Sequence, residues 1–154
     1  MLTRDQWSWR GRFVVRVWRS GLLVAEYDLL NSVTNVGKNA LRDALLYGID
    51  ARIRYVALGT SSSANPAPNT LTQLGAESFR KYLTAQSQGA VGESIATFYV
   101  APQEGNINIQ EIGIFGGPLS TAIAGSGTLI ARTLWSHTKT TSETVQIDRH
   151  DILS

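Results

Sequence analysis

Cysteine is missing altogether from the 154 residues, and histidine and methionine are scarce, with two and one. The missing thiol excludes a disulfide framework, a thiolate zinc site, an iron–sulfur cluster and a cysteine nucleophile. Charge is also thin: 17% Asp, Glu, Lys and Arg stands against roughly 25% in ordinary soluble chains. Long apolar runs are lacking too. Stretches such as Gly21-Leu22-Leu23-Val24-Ala25 fall far short of the roughly 20 residues that cross a bilayer, so the expectation is a soluble protein with no membrane partner. The opening residues Met1 to Trp7 hold no apolar signal core, which predicts synthesis and first folding in the cytoplasm.

What is present is enough for one core. A hydrophobic share of 43% with mean hydropathy −0.06 suits a single globular domain and speaks against disorder or coiled coil. No internal repeat at a fixed period is visible. The net charge of +2 is unevenly spread: residues 1–20 hold five arginines against Asp5, and the remainder holds nine bases against eleven acids.

That basic head interleaves Trp7, Trp9 and Trp18 with Arg4, Arg10, Arg12, Arg16 and Arg19. Indoles and guanidinium planes are the residue types that stack on bases and clamp phosphates. The alternation of Arg12-Phe13-Val14-Val15-Arg16-Val17-Trp18-Arg19 instead predicts a strand with arginines on one face and Phe13, Val15 and Val17 in a core. Salt bridges across strands or subunits are therefore preferred, and nucleic acid is not the expected partner. A loop Arg19-Ser20-Gly21 predicts a hairpin over 12–29 that pairs Val17 with Leu23, Val15 with Ala25 and Phe13 with Tyr27. The same register sets Arg12 across from Asp28 and Glu26 diagonal to Arg16.

Next, Asn31 to Asn35 supplies cap residues, and Val36, Ala40, Leu41, Ala44 and Leu45 recur at helical steps before Gly48. One amphipathic helix over about 35–47 is predicted, packed on a sheet. A strand follows over 52–59, then a small-residue surface loop over 60–69 and one helical turn over 71–77. Five β-rich segments complete the chain: 79–85, 94–101, 106–115, 127–135 and 144–152. Seven or eight strands around one helix predict a mainly β fold, a compact β-sandwich or barrel-like domain. The division expected is an N-terminal arm over 1–11 and a single β-rich domain over 12–154.

Signs of chemistry are few. Val36-Gly37-Lys38-Asn39 lacks the glycine spacing and the hydroxyl of a phosphate-binding loop, and Gly113, Gly116 and Gly117 do not fit the dinucleotide fingerprint. Asp148-Arg149-His150-Asp151 sets two carboxylates around an imidazole. Strand alternation puts Asp148 and His150 on one face and Arg149 and Asp151 on the other, so a metal would need ligands from elsewhere, and near Lys139 there is just His137. Glu77, Glu93, Glu104 and Glu111 could pair for glycoside hydrolysis only if the fold brought them together. No catalytic residue, metal ligand or cofactor is assigned.

Four segments in order carry a resemblance: 33–43 (VTNVGKNALRD), 53–60 (IRYVALGT), 110–116 (QEIGIFG) and 127–132 (GTLIAR), the last followed by Lys139-Thr140. Over about residues 30–147 the chain resembles small structural proteins of tailed bacteriophages, the tail-fibre, tail-tip or virion structural proteins. The resemblance implies a non-enzymatic, β-rich subunit located in the virion and made in the host cytoplasm. It implies a homotrimer that meets other virion proteins as a tail-associated accessory or adaptor subunit, or else as a capsid decoration protein that cements the head. Within that frame Trp7, Trp9, Arg10, Arg12 and Trp18 are the candidate partner-binding residues, since tryptophan and arginine concentrate at the energetic centres of interfaces. Residues 1–11 are either an arm docking on a neighbour or an edge strand whose tryptophans fold back on their own sheet. A host receptor or surface glycan is the further partner class, with Trp7, Trp9, Trp18 and Trp135 as exposed-aromatic candidates.

Overall fold

The first strand, β1 (Trp9–Arg19), turns at Ser20-Gly21 into β2 (Leu22–Ser32). A computed structural model describes residues 8–64 and 69–154. After β2 come helix α1 (Asn35–Tyr47), β3 (Ile53–Gly59), β4 (Glu77–Tyr82), β5 (Ala85–Gln88), β6 (Glu93–Val100), β7 (Asn108–Gly116), β8 (Thr128–Thr138) and β9 (Glu143–Leu153). Two antiparallel sheets form, ordered β2-β1-β9-β6-β5 and β4-β3-β7-β8. They pack face to face as a sandwich, so the mainly β expectation holds and the barrel alternative gives way to two open sheets.

Period-two alternation builds the core. Phe13, Val15 and Val17 from β1, Phe98 and Val100 from β6, and Val145 and Ile147 from β9 meet Val56, Leu58, Ile112, Ile114 and Ile130 of the other sheet. A second, smaller cluster of Ala57, Leu74, Phe115 and Leu129 lies on the outer side of the four-stranded sheet. There Leu71 and Leu74, which lie between β3 and β4 in sequence, pack over the sheet.

The helix spans the predicted residues. Thr34 caps it by accepting the Gly37 N–H at 3.0 Å, and Gly48 ends it at φ 67° with its N–H on the Ala44 carbonyl. A side chain at Gly37 would begin 3.0 Å from the Ile130 carbonyl oxygen, which is why glycine stands where α1 crosses β8. Helix on sheet is the contact that forms. Leu45 departs from the expectation: it points to solvent, 73% exposed.

Several local expectations are corrected. The hairpin turn is two residues, with Ser20 at φ 51° and Gly21 at φ 75°, the paired left-handed geometry that suits the twist of the flanking strands. Register moves accordingly: Val17 faces Ala25, Val15 faces Tyr27 and Phe13 faces Leu29, with a bulge after Val17. Because the slip is two residues, faces are preserved. Residues 72, 73, 75 and 76 are bends and Glu77 already opens β4, so no helical turn forms over 71–77. The segment over 79–85 divides into β4 and β5, which belong to different sheets, so the strand count is nine among the described residues. Finally, β1 begins at Trp9, so residues 9–11 of the expected arm run inside the sheet, while residues 1–7 lie outside the described residues.

Candidate interaction surfaces

Alternation along β1 splits the predicted partner-binding set. Trp7 lies outside the described residues. Trp9 points inward against the core, and its indole Nε1–H donates to Asp151 Oδ1 at 2.9 Å. Arg10, Arg12 and Trp18 belong to the opposite, outward face of the five-stranded sheet. Arg10 is exposed; Arg12 lies 3.5 Å from Asp28, and Trp18 is half-buried between Leu23 and Thr144 on the neighbouring strands. Arg16, in the same outward row, bonds Glu26 at 3.0 Å and Asp148 at 2.8 Å. The charge pairs expected of this hairpin thus form, with direct and diagonal partners exchanged by the register.

Among the described residues, the acids and histidines are each taken up by a neighbour. His150 Nδ1 lies 2.7 Å from Glu93, and that contact, followed by the Ala90 N–H, holds the Glu93 carboxyl below its usual range. His137 lies 3.2 Å from Glu143. Burial on its own would raise the Glu143 pKa, but the Thr140 N–H, Arg19 and His137 outweigh it and the net shift is downward. Glu77 pairs with Arg80, Glu104 with Lys81 and Glu111 with Arg132. The four glutamates considered for glycoside hydrolysis therefore sit in separate pairs. The 148–151 quartet divides between faces as alternation requires: Asp148 takes Arg16, Thr97 and Gln146, whereas Asp151 takes Arg149 and Trp9. Among the described residues no three His, Asp or Glu side chains stand together as metal ligands.

Trp135 is corrected as an exposed aromatic. It is 5% exposed, stacked on His137 at 5.0 Å and edge-on to Tyr27 at 5.6 Å, because β8 turns this side chain into the seam between the sheets.

Sequence reasoning missed two apolar poles. At the end of the sandwich where β1 enters and β9 leaves, a groove of about 940 Å³ opens between the sheets. Trp9, Ile53, Leu83, Ile130 and Leu153 form its apolar wall, and residues 86–94 of the β5–β6 hairpin with Asp151 form its polar one. A shallower hollow of about 380 Å³ continues it over Leu41, Leu45 and Leu153. At the far end of β1, the Ser20-Gly21 turn carries Leu22, Leu23 and Val24, with Leu22 70% exposed. No family model, no curated protein and no solved structure matches this chain.

The acids at both poles are engaged within the chain, and at the groove two guanidiniums share one carboxylate. Arg19 bonds Glu143 at 2.9 Å beside the turn. At the groove, Asp50 lies between Arg52 and Arg54, and the bonds from Arg52 and then Arg54 hold its carboxyl far below the usual range. The outcome is apolar surface framed by paired charges, an arrangement suited to docking on another protein. The signal in the sequence was Gly21-Leu22-Leu23-Val24-Ala25 itself, an apolar run that begins inside a turn where polar residues are usual.

Proposed function

We propose that this chain is a non-enzymatic structural subunit of a tailed-bacteriophage particle, a tail-associated accessory or adaptor piece that works through contacts with its own copies and with other virion proteins. One observation carries the reading: exposed leucines stand at both ends of a domain in which, among the described residues, the acids and histidines are engaged in pairs. A domain built for chemistry keeps an unengaged acid, base or nucleophile facing a pocket, whereas the acids at this end groove are held, Asp151 by Arg149 and Trp9 and Glu93 by His150. The ordered motifs over residues 30–147 supply the particle as the setting.

Immunogold electron microscopy on intact virions, with an antibody against this chain, tests the reading. Gold at the tail is the expected result. Gold over the head overturns the tail assignment in favour of a decoration protein. Label confined to infected cells and absent from particles overturns the virion reading as a whole.

A further inference from the structure

The end groove differs from the apolar surface around it in having a polar floor. On β6 the inward residues are Ala96, Phe98 and Val100, so Ser94 also faces inward, and the register sets Gln88 of β5 and Asp151 of β9 beside it. Gln86, paired with Ala96, stands one step deeper on the same face. The side chains of Gln86, Gln88 and Ser94 make no hydrogen bond among the described residues. Asp151 is 6% exposed; Trp9 and Arg149 both bond its Oδ1 at 2.9 Å, while Oδ2 takes only Arg149 Nε at 3.3 Å. A carboxylate oxygen accepts two bonds, so Asp151 keeps room for another. Opposite this floor stands the apolar wall of Trp9, Ile53 and Leu83. A buried charge pair costs desolvation, and what this one holds in place is the Trp9 indole at the groove.

We propose that this groove binds a short oligosaccharide bearing a carboxylate. A pyranose carries C–H bonds on its faces and hydroxyls around its edge, the same division as between this wall and this floor. Its hydroxyls donate to Asp151 and exchange bonds with the amides of Gln86 and Gln88 and the hydroxyl of Ser94. From Gln88 to Asp151 the row crosses two strand spacings, about 10 Å, close to the length of a disaccharide, and a volume of about 940 Å³ suits a small-molecule site. The carboxylate follows from the rim. Arg52 and Arg54 share the one carboxylate of Asp50, and Arg52, 77% exposed at the groove, leaves its Nη1 without a hydrogen bond among the described residues. Glu93 does not oppose it, since it lies on the other face of β6, where His150 and the Ala90 N–H take it. An apolar protein segment fits less well, because it would strip water from Gln88, Ser94 and Asp151 and return no hydrogen bond. A nucleic-acid strand needs cations along its path, and among the described residues Arg52 is the one cation lining the groove. Such a site adds a ligand to the structural role proposed above and does not depend on that role.

An array of neutral, uronic-acid and sialic-acid oligosaccharides, probed with the labelled full chain, tests this, followed by titration of a bound sugar against tryptophan emission. Carboxylate-bearing sugars should bind in preference to their neutral counterparts. Q86A/Q88A, at exposed positions of β5, should weaken binding at least about tenfold. Gln103→Ala, an exposed glutamine outside the groove, should leave it unchanged. Arg52→Gln should remove the preference for the acidic sugar and leave the neutral one bound as before. No binding to any sugar on the array overturns the proposal, as does binding that survives Q86A/Q88A. Equal binding of acidic and neutral sugars by the wild type overturns the placement of a carboxylate at Arg52. A wild type that is oligomeric by light scattering and monomeric as Q86A/Q88A overturns the saccharide in favour of a second copy of this chain. Gold labelling of virions does not depend on any of these outcomes, so failure here is distinct from failure of the virion reading.

Discussion

The guanidinium of Arg149 fills the space that a side chain on Gly11 would occupy: a Cβ there would lie 1.7 Å from Nη2. Arg149 is fully buried, lies over the Phe13 ring at 4.7 Å and bonds Asp151 at 2.9 Å, so the inner face of the sheet carries a charge beside the end groove. Glycine on β1 makes this possible.

Gly11→Ala should therefore displace Arg149 and cost about 3 kcal/mol, the range of overpacking combined with disturbance of a buried ion pair. Combined with Arg149→Met, the same substitution should cost less than it does alone, because the clash is gone. Urea unfolding of the two single variants and the double variant measures the coupling. Additive losses within about 0.5 kcal/mol would show that the two residues do not compete for this space.

Glu111 and Arg132 hold the cover on the outer face of the four-stranded sheet. Both side chains are buried; Glu111 accepts from Arg132 Nε at 2.6 Å and from the N–H groups of Gly75 and Ala76, while Arg132 donates to the Ser63 carbonyl. Glu111→Gln keeps the size and removes the charge that balances Arg132. A loss of about 3–5 kcal/mol is expected for breaking a buried pair on one side. Limited proteolysis should show it first, as faster cleavage within residues 60–76, and unchanged cleavage there would argue that Leu74 packing alone holds the segment.

Elements fixed by local chemistry were legible in the sequence: α1 has its caps written in Thr34 and Gly48, and the strand faces follow from alternation in 12–19. The register of the first hairpin was not. It depends on Ser20 accepting a positive φ, which a non-glycine residue does at a cost, so sequence alone points to a three-residue loop with Gly21 in the left-handed position. The buried arginines were also hidden. Arg80, Arg132 and Arg149 fall on strand positions like any surface arginine, and their burial comes from loops and partner strands far along the chain. Trp9 is different: composition marks it as an interface residue, but period-two alternation already places it on the inward face of Phe13, and only its bond to Asp151, 142 positions away, was hidden.

The turn itself gives a prediction with opposite signs. Asparagine tolerates the left-handed region better than serine, so Ser20→Asn should stabilise the fold by a few tenths of a kcal/mol to about 1 kcal/mol. Gly21→Ala should cost about 1 kcal/mol, since its φ of 75° disfavours a Cβ even though no atom lies near it. Thermal unfolding midpoints of the two variants should move in opposite directions. A Ser20→Asn variant that melts below the wild type would contradict the two-residue turn.

Acid should unfold this protein by a route its carboxylates define. Glu93, Glu104 and Glu143 all have folded pKa values below the ordinary 4.5, held there respectively by His150, by Lys81, and by the Thr140 N–H with Arg19 against the opposing effect of burial. A carboxyl whose pKa is depressed by folding binds its proton more readily in the unfolded chain. Its contribution is fully present above pH 4.5 and is lost as the pH falls through the depressed folded value. The urea midpoint should therefore be flat in this respect from neutrality down to about pH 5 and fall below it. Glu143, buried beside the turn between β8 and β9, is the informative position. Glu143→Gln should lower stability at pH 7, where the carboxylate bonds Arg19 and the Thr140 N–H, and should shrink the further loss between pH 5 and pH 3. Parallel curves for variant and wild type across that interval would show that Glu143 is not a source of the acid sensitivity and leave Glu93, Glu104 and Asp50 to account for it.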